Sequence, residues 1–324
     1  MLRPTLRALG LYKYTYEAGP SKFGRYPLVP SSFALTSYPA PRHVPPSIPR
    51  PEYVPRNFFT AEWGDHDSVD MPEAQASAIA LGGEEEGRIR EVAVMARDLL
   101  RDVGKMIKKP GITTNDIDQF VHEQITSKAG YPSPLGYSSF PRSCTTSVNN
   151  VIAHGIPDDR PLHPEDIINV DLTIYYKGYH GDTSATFVLP DVDKPGRDLV
   201  EATQEALEVG IKACKPGRKY KDIGMEIEEF AKRHGFSVNG QFSGHGIGDV
   251  FHRPPWIFHC RNNEPGVLMP GDCFTIEPCL VQGSNARGEL WDDGWTMVTE
   301  SGARSAQFEH QVLITEDGVD VLTR

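Results

Sequence analysis

Five residues of this 324-residue chain stand where their types are rare. Asp171 sits in Ile-Asn-Val-Asp-Leu-Thr-Ile, Asp182 in Tyr-His-Gly-Asp-Thr-Ser, His245 in Ser-Gly-His-Gly-Ile-Gly, Glu277 in Phe-Thr-Ile-Glu-Pro and Glu309 in Ala-Gln-Phe-Glu-His-Gln-Val-Leu. Acids are poor strand formers and costly to bury, so each needs a reason. A hairpin turn read at Tyr175-Tyr176-Lys177-Gly178 sets Asp171 directly across from Asp182, with Cβ atoms about 5 Å apart and like charges opposed. Such a pair shares a proton, holds a cation between its members, or lies solvated on the outer face of an exposed sheet. Glu277 and Glu309 shift that balance, because four ionised carboxylates collected without metal would be strongly unfavourable. Two divalent cations would balance the charge. Oxygen-rich ligation with one imidazole suits Mn, Fe(II), Co or Zn in an open site, and carboxylate-bridged pairs of such ions perform metal-assisted hydrolysis.

Regular elements must carry these residues. Ile89, Val92, Val94, Met95, Leu99, Leu100 and Val103 recur at helical spacings and predict a helix over Glu84 to Lys109, stopped by Pro110-Gly111. Further helices are predicted over Thr114 to Lys128, Arg197 to Cys214 and Lys221 to His234, each followed closely by a glycine. Between the two helix pairs, Ile168, Val170, Leu172 and Ile174 alternate with Asn169, Asp171 and Thr173, which marks a strand with one apolar and one polar face. Strands are also predicted at Cys273 to Val281, Gly294 to Thr299, Ser305 to Leu313 and Val319 to Leu322. Helices then strands, twice over, predict one domain of two α+β halves, with polar residues at the strand centres meeting between them.

The formal charge of −11, from 33 basic and 44 acidic residues, argues against general nucleic-acid or anionic-membrane binding. No apolar run is long enough for a transmembrane helix. The charge is uneven: residues 1–60 hold eight basic and two acidic side chains, a local +6 that leaves −17 for the remainder. They also hold 11 of the 27 prolines, including the run from Pro39 to Pro55, so no folded core is expected there. The stretch Met1-Leu2-Arg3-Pro4-Thr5-Leu6-Arg7-Ala8-Leu9 has the composition of an organellar transit peptide; a tail with no address is the plainer alternative. Cys144, Cys214, Cys260, Cys273 and Cys279 form no Cys-x-x-Cys pair, which argues against a disulfide framework or a cysteine zinc site.

From about residue 80 onward the chain strongly resembles type 1 methionine aminopeptidase. The resemblance rests on Gly136-Tyr137, Phe140-Pro141-Arg142-Ser143, Ser147-Val148-Asn149-Asn150, His154-Gly155-Ile156-Pro157, Asn169-Val170-Asp171, Gly181-Asp182-Thr183-Ser184, Gly244-His245-Gly246-Ile247-Gly248, Phe251-His252, Phe274-Thr275-Ile276-Glu277-Pro278 and Ser305-Ala306-Gln307-Phe308-Glu309-His310, in that order. It implies the α/β (α+β) pita-bread fold, two pseudo-symmetric halves around a central antiparallel sheet, with a dinuclear centre of divalent metal ions (Co, Mn, Fe or Zn). Asp171 would chelate one metal, Asp182 and Glu309 would bridge both, and His245 and Glu277 would complete the other. His154 and His252 would contact substrate beside the scissile bond, and Glu277 would shuttle the proton. Tyr137, Phe140, Thr145, Phe251 and Trp295 would wall an apolar methionine pocket.

The reaction implied is removal of the initiator methionine from nascent or new polypeptides whose second residue is small and uncharged. The resemblance further implies a monomer working near the ribosome without touching nucleic acid or membrane. The division expected is a leader over 1–60, an extended arm or linker over 61–82 and the catalytic domain over 83–324. Thr145 stands where the family commonly has a pocket cysteine, with Cys144 displaced by one and so turned to the opposite face of a strand. Ala153 and Arg253 also depart from the common pattern. Residues 1–143 hold no cysteine, unlike the zinc-binding extension of cytosolic type 1 enzymes, and no helical block separates His252 from Glu277 as in type 2. What remains resembles the organellar form, so a mitochondrial address is expected, with plastid or cytoplasm as alternatives. A proline-specific aminopeptidase of the same fold would share the five ligands but usually carries a large preceding domain.

Overall fold

The computed structural model describes residues 16–35, 40–62, 65–69, 75–108 and 111–324. The stretch Met1 to Leu9, Pro39, Lys109 and Pro110 lie outside the described residues, whereas Gly111 of the expected Pro110-Gly111 stop is described, at φ 74°. The four predicted helices are present as α1 (Glu84–Met106), α2 (Thr114–Ser127), α3 (Lys194–Ala213) and α4 (Tyr220–Arg233). Ile89, Val92, Ala96, Leu99 and Val103 form the buried stripe of α1, each large side chain contributing about 2 kcal/mol by its burial. Three acids in its first turn favour the exposed amides there. Thr113 closes the start of α2 by accepting from the Asp116 amide while Asp116 accepts from the Thr113 amide.

The central sheet runs in the order Tyr131–Pro132, Ile167–Tyr176, Tyr179–Val188, Glu309–Ile314, Cys273–Ile276, Ser243–Gly246, Arg253–Phe258, with Thr145–Val148 and Val319–Val321 attached at its sides, all antiparallel. Helix α1 packs on the hairpin of the first half, and α3 and α4 pack on each other and on strands of the second. Glycines next to two candidate ligands permit this closeness. A Cβ on Gly181 would lie 2.6 Å from the Val92 backbone of α1, and one on Gly244 would lie 2.2 Å from the Thr275 carbonyl oxygen.

The hairpin differs in register from the sequence expectation. Its loop is Lys177-Gly178, both at positive φ, so Tyr176 pairs with Tyr179 and Thr173, not Asp171, faces Asp182. Asp171 faces Ser184. The shift is an even number of residues, so both aspartates stay on one face as diagonal neighbours. Two expected long strands are also each broken in two. Cys273–Ile276 lies in the central sheet, but after Glu277-Pro278 the chain enters a three-stranded sheet as Cys279–Gln282; Ser305–Gln307 leaves that sheet and, past Phe308, returns as Glu309–Ile314. Pro278 cannot donate to a ladder, which fixes the first crossing. Both glutamates therefore sit where the chain changes sheets. Of the stretch from Gly294, only Met297–Thr299 is strand, because Asp293 draws the Trp295 and Thr296 amides into a turn.

The largest correction concerns the Pro-rich segment. Residues 16–35 and 40–62 are not a tail without a core: Tyr26, Val29, Val54 and Phe58 are buried, as are Val44, Ile48 and Tyr53. Proline forbids ladder donation but not an extended strap whose carbonyls accept from side chains. Asn149 donates to the Pro27 carbonyl at 2.8 Å, Arg304 to the Phe23 carbonyl at 2.7 Å, and the Tyr53 hydroxyl to the Ser133 carbonyl at 2.7 Å. The Arg304 guanidinium, wholly buried, also pairs with Asp193 and lies over the Tyr26 ring. Among the described residues no helix is long and apolar enough to cross a membrane.

Candidate active site

One cavity of about 330 Å³ opens between the halves of the sheet and is lined by all twelve side chains singled out in the sequence. Asp171 and Asp182 reach it from the hairpin, His245 from the glycine-rich strand, and Glu277 and Glu309 from the two sheet crossings. The ligand atoms of Asp182, His245 and Glu309 lie within 4.8 Å of one another. Asp171 and Glu277 line the same cavity outside that tightest triad. His245 Nε2 is 3.6 Å from an oxygen of Asp182 and 3.6 Å from one of Glu277, too far for a hydrogen bond to either.

Charge in the cavity is one-sided. Burial pushes the Asp171 carboxyl up to about 7. Burial, and then the neighbouring carboxylates, push Asp182, Glu277 and Glu309 well above the usual carboxylate range. Burial holds His245 and His154 down near 4, so both are neutral at pH 7. Among the described residues, neither Lys nor Arg lines the cavity. Glu309 Oε2 is a buried acceptor with no hydrogen-bond donor among them. Four carboxylates without a counter-charge in the lining, one of them with an orphaned oxygen, together with an unprotonated imidazole, form a donor set that fits divalent cations.

Side chains that the sequence reading did not single out hold the acids in place. The Thr173 hydroxyl donates to Asp182 at 2.6 Å, and the Thr275 hydroxyl donates to Glu277 at 2.8 Å while accepting from the His245 amide at 3.0 Å. Gln307 donates to the other Glu277 oxygen at 3.2 Å, and His259 Nε2 accepts from the Glu277 amide at 3.0 Å. Thr173 and Thr275 lie two residues from Asp171 and Glu277, so strand alternation was a usable signal for both. Nothing local marked His259, which is brought to Glu277 only by sheet pairing.

The walls are aromatic. His252 stacks on Phe251 at 3.9 Å and meets the Tyr137 ring at 4.7 Å; His154, in a left-handed conformation at φ 58°, abuts Phe242 at 4.9 Å. Phe140 and Trp295 meet edge to face at 5.0 Å. Thr145 pairs with Asp171 across the sheet and lines the cavity, while Cys144 turns its thiol toward Asp118. Arg253 is buried in an ion pair with Asp249 rather than in the cavity. Tyr53 of the strap packs behind this wall, 5.0 Å from the Tyr137 ring and 6.3 Å from that of Phe251. All five cysteines are free.

The sequence profile of metallopeptidase family M24 matches residues 87–316. The chain is 46% identical over 287 residues to methionine aminopeptidase 1D, chloroplastic/mitochondrial, of Arabidopsis thaliana, covering 87% of this chain and 77% of that one. It is 44% identical over 281 residues to methionine aminopeptidase 1B, chloroplastic, of the same plant, covering 87% and 72%. The crystal structure of methionine aminopeptidase from Rickettsia prowazekii superposes with a TM-score of 0.74 at 37% identity, covering 77% of this chain and all of that one. The antiparallel sheet curled between two helix pairs is the pita-bread fold that these relatives share. The chain belongs to metallopeptidase family M24 and, within it, to the methionine aminopeptidases.

Proposed function

We propose that this hydrolase removes the N-terminal methionine from polypeptides whose second residue is small, with two divalent cations held by Asp171, Asp182, His245, Glu277 and Glu309. The observation that carries the reading is the cluster of four carboxylates in a cavity whose described lining has no lysine or arginine. When bound, the cations would supply Lewis acidity at the scissile carbonyl and a nucleophile at neutral pH. The acidic cavity draws in the free α-amino group of the substrate, which restricts cleavage to the first residue. Tyr137, Phe140, Thr145, Phe251 and Trp295 take the unbranched methionine side chain. Glu277, oriented by Thr275, Gln307 and His259, accepts the proton of the attacking water and returns it to the departing amine. His154 and His252, neutral through burial, donate hydrogen bonds to the substrate amide as charge develops on its oxygen.

The organellar names of the relatives and the basic start of the chain support action in a mitochondrion or plastid. A removable leader would end before Phe23, because among the described residues the core clusters begin there. The test uses purified chain with added Mn or Co and the peptides Met-Ala-Ser, Met-Leu-Ser and an X-Pro tripeptide. Methionine is expected from Met-Ala-Ser, with Met-Leu-Ser cleaved at least about tenfold more slowly. Cleavage of the X-Pro peptide without methionine release would reassign the substrate.

A further inference from the structure

Among the side chains that line the cavity, Gln241 and Trp256 are the exposed ones. They mark its mouth. The methionine must occupy the closed aromatic end, so the rest of the substrate chain has to leave past these two residues. Gln241 is rigid there, accepting from the Gly288 amide at 2.6 Å and donating to the Gly288 carbonyl at 3.2 Å. Trp256 is a large aromatic left 41% exposed. It pairs with His245 across the sheet, so its indole rises from the same face as a candidate ligand. Cross-strand partners lie about 5 Å apart and an extended chain advances about 3.3 Å per residue. A scissile bond held over His245 therefore brings the third substrate residue alongside the indole, with Phe242 on the inner side of the rim.

We propose that Trp256 is a subsite for the third residue of the peptide, favouring an apolar or aromatic side chain there and selecting polypeptides over free short amides. This rests on the methionine-release reading of the same cavity. An indole face offers stacking and apolar contact to a side chain that passes over it, and it tolerates different sequences. The first two residues do not reach it. Trp256 is thus a specificity residue that acts on substrate binding, apart from the chemistry.

The test compares Met-Ala-amide, which ends before the subsite, with Met-Ala-Phe-Ser-amide and Met-Ala-Gly-Ser-amide. Amides are used so that no terminal carboxylate meets the acidic cluster. Wild-type enzyme is expected to show the lowest KM for the Phe peptide. Trp256→Ala is expected to raise KM for that peptide about fivefold to tenfold with kcat nearly constant, to affect the Gly peptide less, and to leave Met-Ala-amide within about twofold. Trp256→Phe should restore most of the difference. Equal losses on all three substrates would mean that Trp256 only supports the fold, and no loss on any would remove it from the substrate path; either overturns the proposal. Wild-type failure to release methionine from every peptide would instead count against the reading of the cavity.

Discussion

Glu309→Gln is expected to lower methionine release by about 100-fold or more, while making the metal-free protein more stable above neutral pH. The opposite signs follow from one cause. In the metal-free fold, Asp171, Asp182, Glu277 and Glu309 all have raised pKa values because they are buried together. A folded state with raised carboxyl pKa values binds more protons than the unfolded chain, so its stability falls as pH rises. That loss begins near the usual carboxylate range, about pH 4, and continues through about 7, where Asp171 titrates. The amide introduced by Glu309→Gln cannot ionise, so the variant should show a shallower decline in melting temperature across this window. Saturating Mn or Co reverses the ranking, because cations that bind only the folded state stabilise it in proportion to their affinity, and the variant has lost one ligand. Thermal unfolding from pH 5 to 8, with chelator and with metal, reads both effects. Unchanged turnover, or identical pH profiles for the two proteins, would remove Glu309 from the ligand set.

Deleting residues 1–62 is expected to lower the melting temperature by roughly ten degrees or more relative to a chain starting at Tyr16. The shorter chain loses Tyr26, Val29, Val44, Ile48, Tyr53, Val54 and Phe58 from the interior. It also leaves Arg304 and Asn149, both buried, without the carbonyls they now bond. Catalysis should suffer too, since Tyr53 backs Tyr137 and Phe251, and Val54 lies against Gly136, where an added Cβ would come within 2.9 Å of it. Measuring the melting temperature and the KM for Met-Ala-Ser on both truncations separates the two contributions. Equal melting of the truncated chains would mean that the strap contributes nothing to the core.

How far these features were legible in the sequence depends on the range of the interaction. The four helices follow from apolar periodicity and end within a few residues of where it stops, because helix signals are local. The hairpin register lies two residues from the expected one, since Tyr175-Tyr176-Lys177-Gly178 does not say which pair forms the turn; the positive φ of Lys177 and Gly178 settles it. Alternation still kept Asp171 and Asp182 on one face, and that face was the chemically informative part. The crossings at Glu277 and Glu309 were hidden because each half of those strands reads as an ordinary apolar strand, with only Pro278 hinting at a break.

The burial of the strap runs against the expectation from its proline content for a physical reason. Proline content measures the inability to join a ladder, not the inability to be buried, and the signal for burial lay in the Val, Ile, Tyr and Phe spaced among the prolines. Asp171, Asp182, His245, Glu277 and Glu309 were recognisable as residues out of place in their strands, whereas His154, His252 and the pocket wall followed only from the family resemblance. The supports of the five were not recognisable: His259 acquires its role only when strand pairing sets it beside the Glu277 amide.

Metal content and methionine release, followed together as metal-free chain is titrated with Mn or Co, decide whether this cavity is a dinuclear hydrolytic site. The expected result is two ions bound per chain, with methionine released from Met-Ala-Ser in step with occupancy and none in chelator. Full turnover in chelator, or no methionine released at any occupancy, would contradict it.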